Sequence, residues 1–97
     1  MKSPRYIPEI SPTVFWDVPD GKPDFTKTDF IIPRVFNYGN FQEIADVIVC
    51  YGKEYVKKHL LASIDLDILG LDNASSFFGI PEKQFKCYKR IQYRWNL

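Results

Sequence analysis

Three sets of residues have types that could do chemistry. The first is His59, the only histidine. An imidazole works as a base or a metal ligand only with partners, and the sequence has no HxxxH, HxE or Cys/His pair around it. It reads as a helical histidine at the edge of a core. The second set is acidic: Asp65 with Asp67, and Asp17 with Asp20. Paired carboxylates can hold a cation, but Asp65 and Asp67 bracket a helix start, where an acidic side chain meets the favourable end of the helix dipole. Capping is the expected role. The five glycines are scattered singly, so no phosphate-cradling loop is present, and there is no GxSxG nucleophile motif. Cys50 and Cys87 form neither a CxxC pair nor a disulfide framework; Cys50, inside VIVCY, reads as a small core hydrophobe. The expectation is no enzyme, no metal and no cofactor.

The third set is the C-terminal tail. Lys83, Lys86, Lys89, Arg90 and Arg94 interleave with Tyr88, Tyr93 and Trp95. Cations between rings can hold a single nucleic-acid strand by phosphate contact and base stacking. Tyr, Trp and Arg also dominate protein-interface hot spots. A third reading packs the rings on the domain and leaves the charges solvated. All three stay open, and the candidate partner-binding residues are Lys86, Tyr88, Lys89, Arg90, Tyr93, Arg94 and Trp95. Base reading by a helix-turn-helix suits the chain poorly, because the segment after Asp67 begins acidic and apolar where a recognition helix needs basic and amide residues.

Length and charge set the frame. The chain has 97 residues and a net charge of +1, so one domain is expected and no global field selects nucleic acid or membrane. Residues 1–52 carry five Lys/Arg against seven Asp/Glu, and residues 53–97 carry eight against five. The C-terminal half is therefore the basic one. The first twelve residues lack the apolar stretch of a signal peptide, and no run approaches the length of a membrane span, which makes the cytoplasm the default expectation.

The elements that would position these groups are short helices punctuated by glycines. Pro4, Pro8 and Pro12 predict an extended N-terminal arm. TVFWDV at 13–18 alternates like a short strand or an anchored extended segment. Helix one starts near Phe30 with Thr28 or Asp29 as its cap and runs to Tyr38, with Phe30, Ile31, Val35 and Tyr38 on its apolar stripe. Pro33 then falls in its first turn, and Gly39 ends it in the left-handed conformation. Helix two follows a capping box of Asn40 and Glu43; Phe41, Ile44, Ala45, Ile48 and Tyr51 form its stripe. It is apolar nearly all round, which predicts a central position. Helix three, 53–62, turns Tyr55, Val56, His59 and Leu60 inward and pairs Glu54 with Lys58. Helix four starts from Asp67, with Leu66 and Leu71 as a hydrophobic staple, and ends at Gly79. PEKQFK forms a short helix with Phe85 turned in. The tail fits helix and strand alike and, crowded with aromatic and β-branched residues, is read as extended.

The order and spacing of FWDV at 15–18, FIIPRVFNYG at 30–39, YGKEYVKKHL at 51–60 and LD…FFGIPEKQFKCY ending at Tyr88 resemble a family of small uncharacterised helical domains of Bacteroidota. The likeness spans residues 14–88. Pro33 stands where the family pattern has a glutamate, and Asn73-Ala74 replaces an aromatic pair. The resemblance implies an all-helical domain encoded beside a nucleotidyltransferase-like toxin of the abortive-infection type, and so an antitoxin-like, protein-binding role. The expected fold is mainly all-α: a small bundle of about four to five short helices with extended arms that lie together as a short two-stranded β-ribbon. Its divisions are an arm at 1–13, a helical domain at 14–88 and a basic aromatic tail at 89–97.

Overall fold

A computed structural model describes residues 10–19 and 23–95, with side chains as far as Ile91. A 3-10 turn at Pro12–Phe15 leads to α1 (Thr28–Tyr38), α2 (Phe41–Tyr51), α3 (Lys53–Ala62) and α4 (Ile68–Phe78); a second 3-10 turn at Glu82–Gln84 precedes α5 (Tyr88–Trp95). The expected all-α bundle is present. The described residues contain no strand, so the β-ribbon is not formed among them. The arm at residues 1–9 lies outside the described residues.

The centre of the bundle is α1, not α2. Ile31, Ile32, Val35 and Phe36 of α1 have no exposed surface at all. They meet α2, α3, the first 3-10 turn and, most extensively, α4. On α2 the buried face is Ile44, Val47 and Cys50, while Phe41 and Val49 stand in solvent. An all-round apolar pattern therefore marks a helix with a core face and an uncovered apolar back, rather than a central one. Burying a side chain such as Phe36 contributes about 1.5–3 kcal/mol by transfer alone.

The capping signals mostly hold. Asn40 Oδ1 accepts from the Glu43 amide at 2.8 Å, and Glu43 Oε1 accepts from the Asn40 amide at 2.8 Å. Asp67 Oδ1 accepts from the Gly70 amide at 2.8 Å, and both staple residues, Leu66 and Leu71, are buried. Gly52 and Gly79 end their helices with positive φ. Gly39 does not: its φ of −81° and ψ of 163° are extended. A Cβ there would sit 2.7 Å from the Val35 carbonyl oxygen, so glycine serves close approach, not handedness.

Six local expectations are corrected. Helix α1 begins at Thr28 with Lys27 at the cap position, and Thr28 Oγ1 meets the Tyr55 hydroxyl at 2.9 Å instead of capping. Pro33 thus sits inside the helix and leaves the Asp29 carbonyl without its usual amide donor. TVFWDV is no strand: Val14 and Phe15 are neighbours and both buried, because the Val14 amide donates to the Ser11 carbonyl and turns the chain. Tyr55 is exposed rather than turned in, and Glu54 approaches Lys57 at 4.0 Å rather than Lys58. Finally, the tail is helical. Ile91 is buried and Tyr88 packs against the core three residues away, so the helical period prevails over alternation once both side chains have the same surface to cover.

Candidate interaction surface

The most distinctive surface is built on the solvent side of α1. Phe30, Arg34 and Tyr38 are spaced by four and so form one ridge along the helix. The Arg34 guanidinium carbon lies 5.3 Å from the ring centroids of Phe30, Tyr38 and Trp16 alike. Arg34 Nε donates to the Val14 carbonyl at 2.9 Å, and Nη2 donates to the Asp17 carboxylate. These bonds fix the 3-10 turn against α1 and bring Trp16 to the ridge. The arginine's charge is answered, its head is mostly covered, and three rings stand around it. Trp16 is 70 % exposed, Tyr38 54 % and Phe30 37 %. Each cation–π contact at such a site is worth about 0.5–1 kcal/mol, which biases the rings toward this arrangement.

Beside this ridge runs a cleft of about 480 Å³, lined by Asp29, Phe30, Pro33, Arg34, Asn37, Tyr38 and Asp65. Asn37 forms part of its floor and is the polar pin of the region. Its Nδ2 donates to the Asp65 carbonyl at 3.0 Å, and its Oδ1 accepts from the Asp67 amide at 2.9 Å. Gly70 is glycine for this reason: a Cβ there would lie 1.9 Å from Asn37 Oδ1. A second amide, Asn73, donates through Nδ2 to the Phe36 carbonyl at 2.9 Å. The amide that replaces an expected ring is thus a buried tie between α4 and α1.

The tail residues are arranged differently from a continuous cationic strip. Lys86 and Lys89 are exposed. Arg90 Nη2 donates to the Leu66 carbonyl at 2.6 Å, and Tyr88 is half-buried against the core. The side chains of Tyr93, Arg94 and Trp95 lie outside the described residues. His59 does have a partner that spacing did not reveal: its Nε2 is 3.4 Å from Asp29 Oδ1, and its ring stacks on Tyr55. That arrangement ties α3 to the start of α1. Asp67 caps α4, as expected, while Asp17 binds Arg34. Among the described residues no three His, Cys, Asp or Glu side chains converge to hold a metal, and no helix is long and apolar enough to cross a membrane.

The ridge was legible in part. Phe30, Arg34 and Tyr38 share one helical face, but Phe30 and Tyr38 also fit the apolar stripe, and the stripe reading placed them inside. Residues 10–60, just over half of the chain, match the model of a family of unknown function, DUF6922. The chain belongs to that family. The DUF6922 segment contains the first 3-10 turn, α1, α2 and most of α3, and with them Trp16, Phe30, Arg34 and Tyr38. Asp65, α4 and the basic tail follow it. No curated protein and no solved structure matches the chain.

Proposed function

We propose that this DUF6922 chain is a protein-binding domain that does no chemistry of its own, and that it binds through the ridge of Trp16, Phe30, Arg34 and Tyr38. The supporting observation is the exposure of three large rings around one neutralised, immobilised arginine. Tyr, Trp and Arg are the residues that carry binding energy when a partner desolvates them, and preordered rings lose little entropy on contact. The resemblance of the sequence to antitoxin-like domains suggests the partner class, a nucleotidyltransferase-like toxin encoded beside this chain. The test is co-expression of the two, co-purification, and rescue from toxicity. Trp16→Ala and Tyr38→Ala should each weaken the complex about tenfold or more, the loss expected of a hot-spot ring. No complex with the intact chain, or a complex indifferent to both substitutions, overturns the reading.

The alternative, nucleic-acid binding through the tail, draws support from the exposed Lys83, Lys86 and Lys89. It loses some from Arg90 and Tyr88, which are committed to the Leu66 carbonyl and to the core. Its test is salt dependence: binding to DNA or RNA should weaken steeply with salt, and Lys86→Ala with Lys89→Ala should flatten that slope by about two.

A further inference from the structure

Glu43 is the one buried acid among the described residues, and no Lys, Arg or His pairs with it there. Backbone amides hold it instead, beside the favourable N-terminal end of α2. Its Oε1 accepts from the Asn40 amide at 2.8 Å and closes the capping box. Its Oε2 accepts from the Ser11 amide, thirty-two residues earlier, at 2.5 Å. The box alone would be served as well by glutamine, which also accepts through one oxygen. Accepting through both oxygens needs a carboxylate, so the second bond explains the acid. That bond falls at the entry of the first 3-10 turn. Ser11 caps the turn: its carbonyl accepts from the Val14 amide at 3.0 Å, and its Oγ accepts from the Thr13 amide at 3.4 Å. Val14 offers its own carbonyl to Arg34, and Trp16 follows two residues on. The turn is thus tied to α2 at its start by Glu43 and to α1 farther along by Arg34.

We infer that Glu43 is a positioning residue for the ridge: through Ser11 it fixes the 3-10 turn, and with it the place of Trp16 beside Arg34. This rests on the protein-binding reading for what the placement serves, not for the placement itself. Val14 and Phe15 are buried and hold the turn to the core, with the Phe15 ring centroid 6.1 Å from those of Phe25 and Phe30. Apolar packing of this kind tolerates a slide or roll of the segment, whereas hydrogen bonds are directional. Trp16 is mostly exposed, so its position follows the backbone that carries it. A carboxylate on α2 therefore sets the orientation of a ring presented beside α1, without lying on the contact surface.

Two substitutions separate this role from simple support of α2. Glu43→Ala removes both acceptors, whereas Asn40→Ala removes the other half of the capping box and leaves the Ser11 bond. Both weaken the start of α2, so a role confined to capping predicts the same response from each. Hydrogen exchange of the Val14 amide and of Arg34 Nε–H, read by NMR on the full chain, reports opening of the turn. Glu43→Ala should speed both about fivefold, the change expected when a local opening no longer breaks one net hydrogen bond. In a Trp95→Phe background, which leaves Trp16 as the only tryptophan, the fast component of its fluorescence anisotropy should grow. Asn40→Ala should lower the urea midpoint and leave all three readouts unchanged. If Glu43→Ala does not fold, Glu43→Gln keeps the side-chain volume and should move the readouts in the same direction. Unchanged exchange at Val14 and Arg34 in the Glu43 variants, or an equal increase in Asn40→Ala, overturns the assignment. Either result leaves the ridge to be judged by Trp16→Ala and Tyr38→Ala in the toxin complex. A complex indifferent to those two removes the ridge reading and leaves Glu43 as an anchor of the turn.

Discussion

Replacing Gly70 by alanine should destabilise the domain, although alanine is the better helix former. Gly70 is the third residue of α4, where exchanging glycine for alanine would ordinarily gain about 0.5–1 kcal/mol. Here the added Cβ would fall 1.9 Å from Asn37 Oδ1, so the Asn37 side chain must leave. It then loses its bonds to the Asp65 carbonyl and the Asp67 amide. Each is worth about 1 kcal/mol net, and a partly buried group left unpaired adds about 1 kcal/mol more. The balance is a loss of about 2 kcal/mol, or a melting temperature lower by about 8–16 °C for a chain of this size. The informative experiment is a double-mutant cycle by urea unfolding. In an Asn37→Ala background the severe clash is gone and only the flexible end of Leu66, with Cδ2 3.0 Å from the new Cβ, has to give, so Gly70→Ala should be neutral or stabilising by up to about 1 kcal/mol. The coupling between the two positions is then about 2–3 kcal/mol, large for a pair of side chains. Gly70→Ala that costs the same in both backgrounds, or that stabilises the wild-type chain, refutes the account of Asn37 as the pin.

Other substitutions test separate parts of the structure. Glu43 accepts from Asn40 through one oxygen and from the Ser11 amide through the other at 2.5 Å, so Glu43→Gln should turn an NH2 toward a donor and cost about 1–2 kcal/mol in urea unfolding. Arg34→Lys should loosen the 3-10 turn, because an ammonium cannot keep the Val14 and Asp17 contacts while facing three rings; the fluorescence of Trp16 should shift to the red with a stability loss near 1 kcal/mol. Burial pushes the Tyr51 phenol above its ordinary pKa, and its hydroxyl donates to the Phe25 carbonyl at 2.5 Å. The neutral phenol is thus favoured by folding. Its contribution is whole below the unfolded value of about 10 and is lost as pH rises beyond it, so the wild type should lose stability above pH 10 more steeply than Tyr51→Phe. At neutral pH Tyr51→Phe should cost about 1 kcal/mol.

What the sequence disclosed was local. The Asn40–Glu43 box, the Asp67 cap and the Leu66–Leu71 staple are short-range devices, each written within a few residues, and all of them form. The helical period alone placed Ile31, Val35, Ile44, Val56 and Leu60 in the core. Failures came where the outcome depended on a distant neighbour. Thr28 does not cap because the helix already begins at it, and its hydroxyl meets that of Tyr55, twenty-seven residues on. The tail folds as helix because Leu66 offers Arg90 a carbonyl and the core offers Ile91 a surface. The ridge was only partly legible because ring, arginine, ring at a spacing of four is the same text whether the rings face in or out. The row faces out because Ile31, Ile32, Val35 and Phe36 take the inner face of the helix, and the bonds of Arg34 to Val14 and Asp17 then set Trp16 beside it.

Helix α1 therefore carries two jobs on separate rows of one short cylinder. Its interior rows, Ile31 with Val35 and Ile32 with Phe36, have no exposed surface and touch every other early element of the bundle. Its outer rows hold the ring ridge and the hollow beside it. A helix serving as both scaffold and contact surface must resist rotation, since 100° of turn per residue means that a small roll exchanges the rows. Two sets of ties oppose that roll: Arg34 clamps the outer row to the 3-10 turn, and Asn37 with Asn73 clamps the helix to the α4 side. Polar ties are suited to this because their geometry is directional, whereas apolar packing tolerates rotation between similar side chains. The rings at the surface can then be placed without sacrificing core area, and their presentation depends on bonds that a partner does not need to touch.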